Sequence, residues 1–89
     1  MKVLGNILYV TTPEAYLALD GENVVVRKDD KTSLRLPLHN LENIVCFSYL
    51  GVSPALMGAC VERNVGLCFL RPSGRFLARV TGRQQGNVL

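Results

Sequence analysis

Short apolar runs separated by polar turns occupy the first half of the chain. The runs are rich in β-forming residues, and they span residues 6–10, 15–19, 23–27 and 33–38. Asp20-Gly21 and Asp29-Asp30 are turn dipeptides between them. The last run alternates leucine with other residues, and a period of two buries one face of a strand. Connections this short join antiparallel strands, so the pattern predicts an antiparallel β-meander whose last strand ends at Pro37 or lies at a sheet edge.

The second half of the chain predicts a strand, a helix, another strand and a C-terminal hairpin. Ser53 suits a helix N-cap, Pro54 suits the first helical turn, and small apolar residues follow at helical spacing. The predicted elements are strands at 43–47, 65–70 and 75–81, a helix at about 53–63, and a turn at 71–74. The predicted fold class is therefore mainly β, of the α+β type, with a strand-helix-strand unit after the meander.

Length and composition indicate one small domain, taken here as residues 1–89. Hydrophobic residues make up 48% of the chain and charged residues 19%, against about 25% charged residues in an average domain. So little charge suggests that a partner chain, a second copy or a further domain covers part of the surface. The sequence ends on Val88 and Leu89, which suggests that another structural element begins there.

Positive charge is concentrated at the C-terminal end of the chain. The net charge is +3, all seven acidic residues lie at or before Glu62, and five of the ten basic residues, all arginine, follow it. Four of these recur at a spacing of four and are the candidate DNA-binding residues, namely Arg71, Arg75, Arg79 and Arg83. An even spacing puts strand residues on one face, so we expect Arg75 and Arg79 to face solvent together, with Phe76, Ala78 and Val80 facing the core. Such a strip fits a nucleic-acid backbone. A solvated hairpin face is the alternative, although such a face usually mixes both signs of charge.

The sequence suggests no complete catalytic site. His39 is the only histidine, and with Glu42 it offers two candidate ligands where a metal site needs more. Cys46, Cys60 and Cys68 lie in apolar runs, so we expect buried, reduced thiols rather than a nucleophile or a zinc site. The glycines form no phosphate-binding loop. We therefore expect no enzyme activity, metal or cofactor in this chain.

The sequence also indicates the cellular compartment in which the protein is expected to act. No apolar run approaches the roughly 18–20 residues that span a bilayer. The first residues are too short and too interrupted for a signal peptide. We therefore expect a cytoplasmic protein without a membrane partner.

Five segments, taken together and in order, carry a resemblance to one family. They are residues 8–13 (LYVTTP), 19–26 (LDGENVVV), 36–47 (LPLHNLENIVCF), 51–57 (GVSPALM) and 73–80 (SGRFLARV). The chain resembles, over essentially its whole length, the integrase that inserts new spacers into CRISPR arrays, in the form found with type I-C systems.

The resemblance implies the role of an N-terminal domain. Full-length members join such a β-rich domain to a larger helical domain, absent here, whose Glu, His and Asp residues bind Mg²⁺ or Mn²⁺. No catalytic residue carries over to this chain. The implied partners are a second copy of the chain, duplex DNA and, through the full-length protein, the small companion protein of adaptation. The helix start and the hairpin lie where the family meets DNA or its second copy, so Tyr49, Val52 and Ser53 are candidate contacts.

Two other functions remain open from the residues alone. A free-standing small β-barrel that binds RNA or single-stranded DNA would need aromatic side chains exposed on a sheet face. Tyr49, in the loop before the helix, is the aromatic expected to be exposed, whereas all the others except Tyr16 fall in predicted core strands. A purely structural subunit would show no salt-dependent affinity for nucleic acid.

Overall fold

The described part of the chain forms two β-sheets and one α-helix. The structure is a computed structural model, and it describes residues 1–47, 50–71 and 73–80. The described strands are β1 (Lys2–Leu4), β2 (Ile7–Val10), β3 (Tyr16–Asp20), β4 (Asn23–Lys28), β5 (Lys31–Pro37), β6 (Asn43–Cys46), β7 (Gly51–Val52), β8 (Gly66–Leu70) and β9 (Phe76–Val80). Helix α1 (Pro54–Glu62) precedes β8, and a short 3-10 helix spans Leu38–Asn40. The predicted α+β, mainly β class is confirmed.

Both sheets mix parallel and antiparallel pairing. The five-stranded sheet has the order β1-β2-β6-β8-β9, and the four-stranded sheet has the order β5-β4-β3-β7. In the first sheet β2, β6 and β8 run parallel, and the edge strands β1 and β9 are antiparallel to their neighbours. In the second sheet β3, β4 and β5 are antiparallel, and β7 runs parallel to β3.

The predicted antiparallel meander is right for β3, β4 and β5 but wrong for β2. Strand β2 pairs in parallel with β6, so that Leu8 lies opposite Ile44 and Val10 opposite Cys46, and all four side chains are fully buried. The link from β2 to β3 does not form a hairpin: the chain crosses to the other sheet, and Glu14 within the link adopts a left-handed φ of 57°. Burial of one shared core therefore overrides the local preference for a hairpin.

The two predicted turns of the meander are confirmed. Asp20 pairs with Asn23 across a two-residue turn in which Gly21 has a φ of 63°. In the next hairpin both Asp29 and Asp30 are left-handed, with φ values of 53° and 61°. Two successive left-handed residues are what a tight type I′ hairpin turn requires, and aspartate tolerates that conformation. Strand β5 ends at its proline and is an edge strand, as the sequence predicted.

Helix α1 forms where the capping pattern placed it. The Ser53 side chain accepts a hydrogen bond from the Leu56 amide at 3.1 Å, and Pro54 occupies the first turn. Past the helix end Asn64 has a left-handed φ of 57°, which ends the helix. Because β6 and β8 are parallel and α1 lies between them in sequence, the strand-helix-strand prediction is confirmed. No helix in the described ranges is long and apolar enough to cross a membrane.

One hydrophobic core lies between the two sheets and the helix. Its largest fully buried side chains are Leu8, Leu17, Leu38, Ile44, Leu56 and Leu67. Helix α1 adds Ala59 and Cys60 to the same cluster and packs on β3 and β8. Cys46 and Cys60 are buried as expected, but Cys68 is only half-buried because it points away from this core. Cys68 is thus the exception to the prediction of three buried thiols.

The helix cap gives a stability prediction. We expect Ser53→Ala to lower the free energy of unfolding by about 1 kcal/mol, because the Leu56 amide loses its acceptor. Urea unfolding should show a lower midpoint with an unchanged slope. Ser53→Asp, which keeps a capping oxygen, should retain most of the stability. A Ser53→Ala midpoint equal to that of the parent chain would contradict this role of the side chain.

Candidate nucleic-acid and dimer interface

The β8–β9 hairpin brings two candidate arginines together. The Arg71 amide donates to the Arg75 carbonyl at 2.7 Å, and the Gly74 amide donates to the Arg71 carbonyl at 2.7 Å. Gly74 has a left-handed φ of 92°, which favours glycine at this turn. Both arginine residues are exposed at this end of the hairpin. The candidates Arg83 and Tyr49 lie outside the described residues.

The hairpin arginines do not all share one face, which corrects the prediction made from their spacing. Phe69 pairs with Ala78, but Leu70 pairs with Phe76, so Leu77 is an extra residue in β9. An extra residue of this kind is a β-bulge, and it breaks the two-residue alternation of side chains. No periodicity in the sequence marks the position of such an insertion.

The bulge separates Arg79 from the other two described arginines. Arg79 pairs with Cys68, whose side chain points away from the core, so Arg79 points away from the core as well. By the alternation of each strand, Arg71 and Arg75 fall on the opposite side of the hairpin. Phe76 was expected to face the core, but it shares the face of Arg79 and is 58% exposed. The bulge thus turns one aromatic and one cation outward together.

Arg79 is held against the sheet by a neighbour two strands away. Its Nη2 donates a hydrogen bond to Asn43 Oδ1 at 3.2 Å. The contact passes over Gly66, where an added Cβ would lie 2.2 Å from Asn43 Oδ1 and 3.0 Å from Arg79 Nη2. Glycine at this position therefore leaves the space in which the two side chains meet.

The arginines divide into paired and unpaired groups. Arg63 Nη2 lies 2.6 Å from Glu22 Oε1, and Arg35 forms an ion pair with Asp20. In the described ranges, no carboxylate lies within ion-pair distance of the three hairpin arginines, namely Arg71, Arg75 and Arg79. Unpaired guanidinium groups at the surface remain available to an anionic partner such as phosphate.

An apolar groove lies beside the hairpin. It has a volume of about 350 Å³, and its lining consists of Leu50, Gly51, Val52, Met57, Phe69, Leu77 and Ala78. Leu50 is 70% exposed and Leu77 43% exposed. Of the predicted contact residues, Val52 lines this groove, whereas the Ser53 hydroxyl caps the helix next to it. The sequence did not indicate Leu50 or Leu77 as site residues, since Leu50 lies in a loop without a periodic pattern and alternation grouped Leu77 with the arginines without showing the groove.

Tyr16, on the outer side of the four-stranded sheet, is partly exposed. Its ring packs over Gly51, where an added Cβ would lie 3.2 Å from Tyr16 Cε1. The residue nevertheless remains 37% exposed. The side chain is therefore neither buried in the core nor free of the sheet.

The described residues do not fit a catalytic divalent metal. His39 is exposed in the 3-10 helix, and the Glu42 carboxylate accepts a hydrogen bond from the Asn6 amide group. Across 1–47, 50–71 and 73–80, no group of three histidine, cysteine or acidic residues could hold a metal ion. No chemical step is therefore assigned to a metal in this part of the protein.

The two core thiols are poorly suited to nucleophilic catalysis. Burial raises the pKa of Cys46 from an ordinary 9.0 to about 12, and the nearby Cys68 and Cys60 thiols add to the effect. Burial also raises the pKa of Cys60 to about 11, although the Arg63 guanidinium opposes the shift. Because the thiolate is the nucleophile, both groups remain in the unreactive thiol form at neutral pH.

The fold and the site together define a class of protein: a two-sheet α+β domain with an uncompensated basic hairpin beside an apolar groove. A sequence model of the family described as CRISPR associated protein Cas1 matches residues 8–89. The chain belongs to the Cas1 family. The resemblance found in the sequence is therefore confirmed.

The similar proteins are all considerably longer than this chain. The CRISPR-associated endonuclease Cas1 1 of Chlorobaculum tepidum is 43% identical over 89 residues, which are 100% of this chain and 26% of that protein. A chain of a partial Cas6-RT-Cas1–Cas2 complex has a TM-score of 0.79 at 22% identity over 91% of this chain and 24% of its own length. A Cas1 protein solved in complex with DNA has a TM-score of 0.72 at 13% identity, over 96% and 32%. At such identities the structures show the shared fold, and the chain spans about a quarter of the curated relative.

The raised thiol pKa values predict a loss of stability in alkaline solution. Above pH 9.0 the unfolded thiols ionise while the folded Cys46 thiol stays protonated up to about pH 12. Stability is therefore complete below pH 9.0 and falls above it, by up to about 1.4 kcal/mol per pH unit for each thiol.

Urea unfolding between pH 8 and pH 10.5, followed for the parent chain and Cys46→Ala, measures this slope. We expect a shallower decline in Cys46→Ala, whatever its stability at pH 8, because other titrating groups are common to both proteins. Equal slopes in the two proteins would rule out the coupling.

Proposed function

We propose that this chain is the N-terminal dimerisation and DNA-positioning domain of a DNA endonuclease and integrase that acquires spacers in CRISPR adaptation. Membership of the Cas1 family and the name of the Chlorobaculum relative support the activity of the whole protein. Its catalytic residues, with Mg²⁺ or Mn²⁺, belong to the part outside residues 1–89. The domain acts in the cytoplasm and is inactive alone.

The single observation that carries the DNA-positioning role is the pair of unpaired arginines on the hairpin. Arg71 and Arg75 are joined by a backbone hydrogen bond and have no described carboxylate nearby. Guanidinium groups bind backbone phosphates in a fixed fork geometry and without reading sequence. Arg79, held by Asn43, would contribute charge from the other side of the hairpin, and Arg83 remains a candidate from the sequence.

The partners follow from the same reasoning. A Cas1 protein of the same fold has been solved with DNA, and another occurs in a complex with Cas2. For this chain we propose duplex DNA as the direct ligand and the small companion protein as a partner of the full-length protein. The described strands form two separate sheets rather than a closed barrel, so the single-strand-binding barrel has no support in the fold.

A second copy of the chain is the proposed occupant of the apolar groove. Strand β9 is an edge strand, so one row of its backbone hydrogen-bonding groups is unpaired within the sheet. Leu77 lies both on this edge and in the groove, and Val52 lines the groove from the other side. Two copies related by a twofold axis can pair these edges and bury both grooves in one contact. Val52, Ser53 and Tyr49 are the proposed contacts near this seam.

The proposed DNA contact predicts the effect of removing the hairpin charges. We expect Arg71→Ala with Arg75→Ala to weaken duplex binding by about 10- to 100-fold, since each lost contact between an exposed guanidinium group and a phosphate costs about 1 kcal/mol. The slope of log affinity against log salt should fall by about 2. Fluorescence anisotropy of a labelled duplex over a salt series measures both quantities.

Arg27→Ala with Arg35→Ala is the matched control for this experiment. It removes the same charge from the other sheet, where Arg35 pairs with Asp20 and Arg27 lies beside Asp29 and Asp30. We expect its affinity to stay within about twofold of the parent. Equal losses of duplex affinity in both double variants would show that net charge, and not the position of the hairpin arginines, determines binding. Unchanged duplex binding in the hairpin variant, with loss of single-strand binding in Tyr49→Ala, would favour the alternative.

The proposed dimer predicts a seam at β9 rather than at β1. We expect the parent chain to sediment as a dimer at micromolar concentration and Leu77→Glu to sediment mainly as a monomer, because a charge would be buried in the contact. Leu4→Glu, at an equally exposed residue on the opposite edge strand, should remain dimeric. A monomeric parent at high concentration, or dissociation by Leu4→Glu alone, would disprove this seam.

A further inference from the structure

The five-stranded sheet has an apolar face that no described residue buries. In β2, β6 and β8 every second side chain points away from the core. We name this surface the outer face, and its central residues are Ile7, Tyr9, Val45, Phe47, Cys68 and Leu70. All six are half-buried, and none of them belongs to the core cluster or packs against it.

The apolar character extends to both edges of the sheet. Leu4 on β1 is 52% exposed and Phe76 on β9 is 58% exposed. Near the middle, the rings of Tyr9 and Phe47 stack with their centroids 6.4 Å apart and their planes at 25°. The outer face is therefore mainly apolar across the sheet, and its polar groups are Lys2 at one edge, which pairs with Tyr9, and the Asn43–Arg79 hydrogen bond toward the other.

A face of this kind is unusual for parallel strands. Sheets built on parallel pairing normally have both faces covered, and apolar patches on soluble monomers are small. The four-stranded sheet of the same chain provides the contrast. There the ion pair of Asp20 and Arg35 lies on the outward side, and Val25 beneath it is fully buried. Among the described residues, the outward side of the four-stranded sheet thus carries polar side chains, whereas that of the five-stranded sheet stays largely apolar and uncovered.

The covering segment can be inferred from the length of the relatives. This chain corresponds to 26% of the Chlorobaculum protein, so about three quarters of that protein lies outside the match. Strand β9 is the last described strand and an edge strand of this same sheet. A segment that follows it is tethered beside the outer face, and tethering gives an effective concentration in the millimolar range. We propose that the polypeptide following residue 89 in the full-length protein docks an apolar surface onto the outer face.

Two other occupants fit less well. A second copy is the proposed occupant of the groove, which lies on the opposite side of the hairpin from the outer face. Nucleic acid would require cations among the aromatic side chains, but the cations of this face, Lys2 and Arg79, lie on its two edge strands and not at its centre. The proposal rests on family membership and the length of the relatives, and it does not depend on the DNA-positioning role.

Cys68 provides a probe at the centre of the outer face. We expect a maleimide to modify Cys68 at least tenfold more slowly in the full-length protein than in the 89-residue chain, with no DNA present. Peptide mass mapping separates Cys68 from Cys46 and Cys60, which are buried in this domain and serve as internal references. Ala18→Cys is the matched control, because residue 18 is half-buried on the outward side of the other sheet and should react equally in both proteins.

Each alternative gives a different labelling result. Equal reactivity of Cys68 in both proteins would overturn the proposal. So would protection in the 89-residue chain that grows with its concentration, which would identify a second copy as the cover. Protection of Cys68 that appears only with added single-stranded DNA would also overturn the proposal, and it would identify nucleic acid as the cover.

A substitution at the outer face provides the converse test. Leu70→Asp places a charge under the proposed contact, so it should return the Cys68 rate in the full-length protein to within about twofold of the 89-residue chain. If Leu70→Asp does not fold, Phe76→Asp at the edge of the sheet is a milder substitution for the same test. Continued protection of Cys68 in a folded variant would contradict docking on this face.

Discussion

A row of three apolar side chains across the parallel strands organises this domain. Leu8, Ile44 and Leu67 lie side by side on β2, β6 and β8, and each is fully buried. They come from three distant parts of the chain, so their burial fixes both parallel connections of this sheet, from β2 to β6 and from β6 to β8. Truncating a buried leucine of this kind costs about 2–5 kcal/mol, which is large against the roughly 5–15 kcal/mol that stabilises a whole domain. Helix α1 and the β8–β9 hairpin are positioned by the same row.

The sequence predicted those features that depend on a few neighbouring residues. The Ser53 cap, the aspartate turn at 29–30 and the strand end at Pro37 each follow from the conformational preferences of the residues involved. The parallel partner of β2 did not follow, because alternation shows which face is buried but not which strand lies alongside. Strand β7 was not predicted either, because its two residues are too few to show a pattern.

The candidate site was likewise predicted only in part from the sequence. Composition located the basic end of the chain correctly, and resemblance identified the family before any geometry was known. Neither composition nor resemblance could predict the orientation of individual side chains, because the extra residue Leu77 shifts the register of β9 by one position. The lining of the apolar groove by Leu77 and the position of Phe76 at the edge of the outer face both depend on that shift, and so neither could be recognised from spacing alone.

The inserted Leu77 has a consequence for how such hairpins can diverge. In a homologue whose β9 pairs with β8 without a bulge, Arg75 and Arg79 would lie on the same side of the hairpin, while composition and net charge would be unchanged. Two homologues with nearly identical hairpins could therefore direct their cations toward different surroundings. The position of the bulge would then carry more functional information than several substitutions within the strand.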